Sequence, residues 1–222
     1  MTTVPILSLL ETRVLGVLVE KRHTVPDSYP LTLNALVSGS NQKTARDPVI
    51  EATEAEVQAA IDRLKSLSMV VESSGGRVMR YAENAGKALG LPPQSVALIA
   101  VLFLRGPQTA GELRINTDRL HRFGDILSVE AFLRELAERK EGALMRELSR
   151  QPGARETRWA HLLSGEPAAV AATAEPAEVR RGDALTASEV AAMRATIDEL
   201  QSEVAALKET VARLCKQLGV EP

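Results

Sequence analysis

Arginine is the side chain whose placement carries the most chemistry in this sequence. Arg77 and Arg80 fall in one short β-type stretch, Arg150, Arg155 and Arg158 in another, and Arg114, Arg119, His121 and Arg122 crowd a polar connector. A guanidinium is always charged and offers a planar fork of donors, so these groups predict neutralisation of phosphates by charge and paired hydrogen bonds. Binding of that kind is salt-sensitive and only weakly selective for base sequence. Lys43 and Arg46 belong to a second connector, Asn41 to Arg46, whose amide and cationic donors suit a phosphate or a partner's backbone. The competing reading of this stretch, and the favoured one, is self-satisfaction, with the amides capping one helix and positioning the next, because Asn and Thr commonly bond nearby backbone.

Constellations for catalysis do not assemble. Gly86-Lys87 is followed by Ala88 and lacks the earlier glycine of a phosphate-binding loop, and no nucleophile elbow occurs. The three histidines, His23, His121 and His161, are scattered without ligand spacing. One cysteine, Cys215, allows neither a disulfide nor a cysteine-based zinc site within a chain, and fits a reducing compartment. The chain therefore reads as non-enzymatic, with no catalytic residue, metal or cofactor. Aromatic residues make up 3% of it, too few for a platform that stacks single strands.

A length of 222 residues with 45% hydrophobic content supports one or two cored domains. The formal charge of −2 is unevenly spread: residues 1–84 carry 9 Lys and Arg against 10 Asp and Glu, residues 85–165 carry 12 against 9, and residues 166–222 carry 6 against 10. The N-terminus lacks the basic flank of a signal peptide, and the longest uncharged apolar run, Val96 to Leu104, is far short of the roughly 20 residues that span a bilayer. A soluble cytoplasmic protein without a membrane partner is expected.

The elements that must hold the arginines follow a repeated order. Ser8 with Glu11 forms a capping box, and Leu7, Leu10, Val14, Val17 and Leu18 recur at helical spacing. A short helix around Leu33, Leu36 and Val37 stops at Gly39, and Thr53 with Glu56 opens an amphipathic third helix. Met69–Glu72 and Val78–Tyr81 then form a hairpin through Ser73-Ser74-Gly75-Gly76. The order recurs: an apolar helix from Gln94 to Arg105, a short one capped by Thr109 and Glu112, and a third capped by Ser128 with Val129, Phe132, Leu133 and Leu136 inward. A second hairpin joins Ala143–Leu148 to Arg158–Leu162. Three helices and a two-stranded wing, twice over, predict a mainly α, α+β chain of two winged-helix domains, residues 1–84 and 85–165. The third helices would present Glu54, Ala55 and Gln58, and Glu130, Ala131 and Arg134, to a duplex; carboxylates disfavour the groove, so the wings and connectors carry the DNA reading.

Residues 166–185 are rich in Ala, Pro, Glu and Gly and read as a flexible linker. Residues 186–220 read as a coiled-coil helix, with apolar Val190, Met193, Ile197, Leu200, Val204, Leu207, Val211, Leu214 and Leu218 in an unbroken three-four spacing. Mostly β-branched first positions and leucine-rich second positions favour two parallel strands, so a homodimer is expected; the alternative is an amphipathic helix folded back on its own chain.

Glu20-Lys21, Thr24, Pro26, Tyr29-Pro30-Leu31, Asn34 and the run Asn41 to Val49 resemble the YceH-like family of bacterial proteins of unknown function. Leu104-Arg105-Gly106, Gln108-Thr109, Gly111-Glu112-Leu113-Arg114 and Trp159 to Gly165 resemble the same family, and the likeness covers nearly the whole chain. It implies tandem winged-helix domains and a C-terminal coiled coil. The family usually has arginine two places after Arg114, where this chain has Asn116. The function expected from all of this is association with double-stranded DNA by a regulator-like protein, through Lys43, Arg46, Arg77, Arg80, Arg114, Arg119, Arg122, Arg150, Arg155 and Arg158. The alternative is an assembly adaptor that engages a protein partner through its acidic third helices and coiled coil.

Overall fold

Local signals start most of the helices. Glu11 N donates to Ser8 Oγ at 3.2 Å and Ser8 N donates to Glu11 at 2.7 Å, opening α1 (Leu9–Thr24), whose last turn carries Lys21, Arg22 and His23 at the negative end of the helix dipole. The same reciprocal pairing opens α3 (Glu54–Ser66) at Thr53 and Glu56, and α6 (Ala110–Asn116) at Thr109 and Glu112. Thr32 caps α2 (Leu33–Ser40), and Pro93 occupies the first turn of α5 (Pro93–Arg105), where its missing N–H costs nothing. The computed structural model describes residues 4–73, 78–150 and 153–166.

The strands pair antiparallel in two small sheets. In the first, β1 (Leu31–Thr32), β3 (Arg80–Glu83) and β2 (Val70–Ser73) lie in that order, with Leu31 opposite Tyr81 and Val70 opposite Glu83. In the second, β4 (Met145–Glu147) pairs with β5 (Trp159–His161), and Gln108 bridges Trp159 from the other side. The result is a mainly helical α+β fold with seven α-helices among the described residues, including α4 (Ala85–Leu89) and α7 (Ile126–Ala137).

Every residue of α1 from Thr12 to Val19 is buried, because the helix packs against α2, α3, β3 and α5 together. A helix covered all round needs small residues where neighbours come close. A Cβ on Gly16 would sit 3.0 Å from Leu104 Cγ of α5, and one on Gly39 of α2 would sit 2.6 Å from Val17 Cγ1. One hydrophobic core runs from Leu7, Val14 and Leu36 through Leu98 and Leu102 to Leu133 and Trp159, so both helix-and-hairpin sets share an interior. By their contacts the described residues belong to one compact unit.

Two local expectations change. Gly39 does not stop the second helix; it lies inside α2, which ends at Ser40 with Asn41 as its C-cap, and its small size lets α2 lie on α1. Ser128 does not cap the third helix of the second set: Asp125 does, accepting from Ser128 N and Oγ at 2.7 Å each, so Ile126 and Leu127 enter the first turn. The stretch around Gly86-Lys87 forms α4, ended by Gly90 in the left-handed region at φ 64°. No helix among the described residues is long and apolar enough to cross a membrane. Arg77, Gln151, Pro152, the linker beyond Glu166, Cys215 and the heptad positions Val190 to Leu218 lie outside the described residues.

Candidate nucleic-acid interface

The polar connector after α2 turns inward. Arg46 has a fully buried side chain whose Nη2 and Nη1 donate to the two oxygens of Glu20 at 2.6 and 3.2 Å, while its Nε donates to Gly39 O at 3.3 Å. Arg13 is 0% exposed and donates to Pro48 O at 2.6 Å and Ser40 O at 3.3 Å. Burial and the neighbouring Arg46 hold its pKa below the usual arginine range, opposed by Asp47. Asn41 exchanges two hydrogen bonds with Ala52, immediately before the Thr53 cap, and Asp47 N donates to Leu104 O of α5 at 2.8 Å. The connector therefore aims α3 and ties it to α5. Arg46 has no surface left for a phosphate, whereas Lys43 is exposed and without a side-chain partner among the described residues.

The second hairpin builds the opening. Met145 and His161 face each other and pack inward, His161 edge-on to Phe103 at 4.8 Å, with burial pushing its pKa down to about 4 so that it is neutral at pH 7. One pair further along the same face are Glu147 and Trp159. There a groove of about 340 Å³ opens between the hairpin, the first turn of α6 and one face of α7, at the small end of the range for ligand sites. Arg134 of α7 and Arg150 and Arg155 of the hairpin line it, as do Glu130, Glu147 and Glu156. Glu130 pairs with Arg134 at 3.0 Å, and Glu147 accepts the hydroxyl of Thr157. Arg150 and Arg155 are exposed and have no side-chain partner among the described residues.

The remaining cations divide. Arg158 donates to Glu112 of α6 at 3.2 Å and Pro107 O at 3.0 Å, and Arg80 donates to Pro30 O at 2.7 Å and Ser28 O at 3.2 Å, so one pins its hairpin to α6 and the other to the segment between α1 and α2. Arg114 reaches Gly124 O at 3.3 Å, Arg122 pairs with Asp118 at 3.1 Å, and Arg119 is exposed without a partner among the described residues. Gln58 donates to Asp62 at 3.1 Å and accepts from the Tyr81 hydroxyl, which leaves it little capacity to read a base. Tyr29 is a packing residue with a polar tip: its oxygen accepts from Glu83 N at 2.6 Å, and burial pushes its pKa up to about 12. Asn116 donates to the buried Gln108 at 2.6 Å and so serves the Gln108–Trp159 bridge. The exposed aliphatics Ile115, Ile126 and Leu127 were not foreseen. Ile126 and Leu127 come to a helix surface because α7 starts after Asp125 and not after Ser128.

A mainly helical α+β unit, cored across two helix-and-hairpin sets and opening a charged groove at the second hairpin, is the class of protein this chain represents. The chain belongs to the family described as "Protein of unknown function, DUF480", which matches residues 7–154. A UPF0502 protein of Cupriavidus taiwanensis is 57% identical over 214 residues, covering 96% of this chain and 88% of the relative. UPF0502 proteins of Dechloromonas aromatica, 57% identical over 92% of this chain and 93% of the relative, and of Methylibium petroleiphilum, 56% identical over 97% and 91%, are similar along the same length. This is the YceH-like family to which the connector and hairpin motifs pointed.

Proposed function

We propose that this is a non-enzymatic tandem winged-helix protein that associates with double-stranded DNA in a regulator-like role. The observation that carries the reading is the meeting of Arg134, Arg150 and Arg155 in the groove between the third helix and the hairpin of the second set. A phosphate strand passing between a third helix and its wing would meet these guanidiniums. Glu130 already neutralises Arg134 and Glu156 shares the groove, so the attraction is modest. Two partner-free arginines correspond to a salt exponent of about −2, or roughly a tenfold loss of affinity between 50 and 200 mM salt. Fluorescence anisotropy with random duplex DNA across that range tests this. Absence of binding at low salt would remove the reading.

A second reading, an assembly adaptor, is favoured by α3, where Glu54 and Asp62 are exposed and Gln58 is occupied internally. An acidic face of that kind suits a protein surface better than phosphates. Either role fits a dimer formed by the heptad tail. Truncation after Gly165 is then expected to give a folded monomer where the full chain is a dimer; equal masses per particle by light scattering would contradict this.

A further inference from the structure

We propose that the corner where α6 meets α7 is a docking site for an acidic amphipathic segment of a partner protein. Single exposed aliphatic side chains are ordinary on protein surfaces, but clusters of them are not. Here Ile115 is 74% exposed, Leu127 72% and Ile126 44%. The fold brings them together: Arg114 at the end of α6 donates to Gly124 O just before α7. Gly111 and Ile126 line one groove, and Ile115 lies one turn from Gly111 on the same helix face. Leu127 shares its face of α7 with Glu130 and Arg134, which line that groove as well.

Charge around the corner selects the partner. Arg114 closes α6, and Arg119 and Arg122 follow in the stretch that joins it to α7; with Asp118 and Asp125 as the acids among them, the three arginines leave an excess of one positive charge. Asp118 is paired with Arg122, and the Asp125 carboxylate is held by Ser128 at the start of α7, hydrogen bonds that keep its pKa below the usual carboxylate range. The excess is positive and is led by Arg119, which has no partner among the described residues. Exposed isoleucine and leucine have no complement on a phosphate backbone, whereas an amphipathic helix supplies both aliphatic side chains and carboxylates. The site therefore assigns this arginine cluster to protein binding, apart from the hairpin arginines proposed for DNA, and it stands whether or not a duplex binds there.

The test uses the full chain and two synthetic helical peptides with leucines at i, i+3, i+4 and i+7, one filled out with glutamate and the other with lysine. Anisotropy is expected to show binding of the glutamate peptide and not of the lysine peptide. Ile115→Ser with Leu127→Ser should weaken binding by at least about tenfold, since each removes a buried aliphatic contact from the complex. Arg119→Glu should weaken it as well. All three positions are exposed, so far-UV circular dichroism and duplex binding by the double variant should match the parent. Equal affinity for both peptides, no binding of either, or an unchanged affinity in the double variant would overturn the proposal. Parallel loss of duplex binding would also overturn it, by placing the corner within the nucleic-acid surface.

Discussion

Replacing Glu20 with Ala is expected to destabilise the fold by about 3–5 kcal/mol, the range for removing one partner of a buried ion pair. The Arg46 side chain is 0% exposed and that of Glu20 18%, so the guanidinium left behind would stay out of water beside the equally buried Arg13. Burial opposes ionisation of Glu20, yet the hydrogen bonds and charge of Arg46, with help from Lys21, outweigh it and hold the carboxyl below its ordinary pKa. The sign follows from linkage. A carboxyl with a depressed folded pKa stabilises fully above its unfolded value, and that contribution disappears as pH falls through the folded one. Urea denaturation of parent and variant should therefore differ most near neutrality and converge in acid. A loss under about 1 kcal/mol at pH 7 would mean that Arg46 finds water or another acid, contrary to the geometry.

Gly39→Ala is the second large effect, and two terms compete in it. Alanine inside a helix is favoured over glycine by up to about 1 kcal/mol. Against that, the new methyl would lie 2.6 Å from Val17 Cγ1, on a side chain with 0% exposure and packed on every side. Overpacking of this kind costs roughly 1–3 kcal/mol, so net destabilisation is expected. Val17→Ala removes the obstructing methyl, and the double variant should be less destabilised than the sum of the two single changes. Simple additivity in thermal or urea unfolding would show that α2 and α1 do not meet through this glycine.

Much of the architecture was legible because it is written locally. The three capping boxes at Ser8, Thr53 and Thr109 need only residues three apart, and the structure has all of them. Asp125 and Ser128 show the limit of the same signal. Both residues can cap, and the choice rests on which turns pack, so the aliphatic surface at Ile126 and Leu127 stayed hidden. Arg13 was illegible for a different reason. Its acceptors, Ser40 and Pro48, are 27 and 35 residues away, and nothing local distinguishes it from a solvated arginine. The Asn41–Arg46 connector was read two ways from its donors, and long-range contacts with Glu20, Ala52 and Leu104 turn it inward. Two of the other candidate cations likewise hold distant partners. Arg80 and Arg158 hold hairpins in place, whereas Arg150 and Arg155 remain open beside the third helix.

The most direct measurement compares the full chain with an Arg150→Ala, Arg155→Ala double variant in duplex binding across a salt series. Both side chains are exposed and hold no internal partner among the described residues, so folding should be unaffected. The predicted result is weaker binding at low salt and a log–log slope flattened by about 2. An unchanged slope with unchanged affinity would place any DNA contact elsewhere and contradict the assignment of this groove.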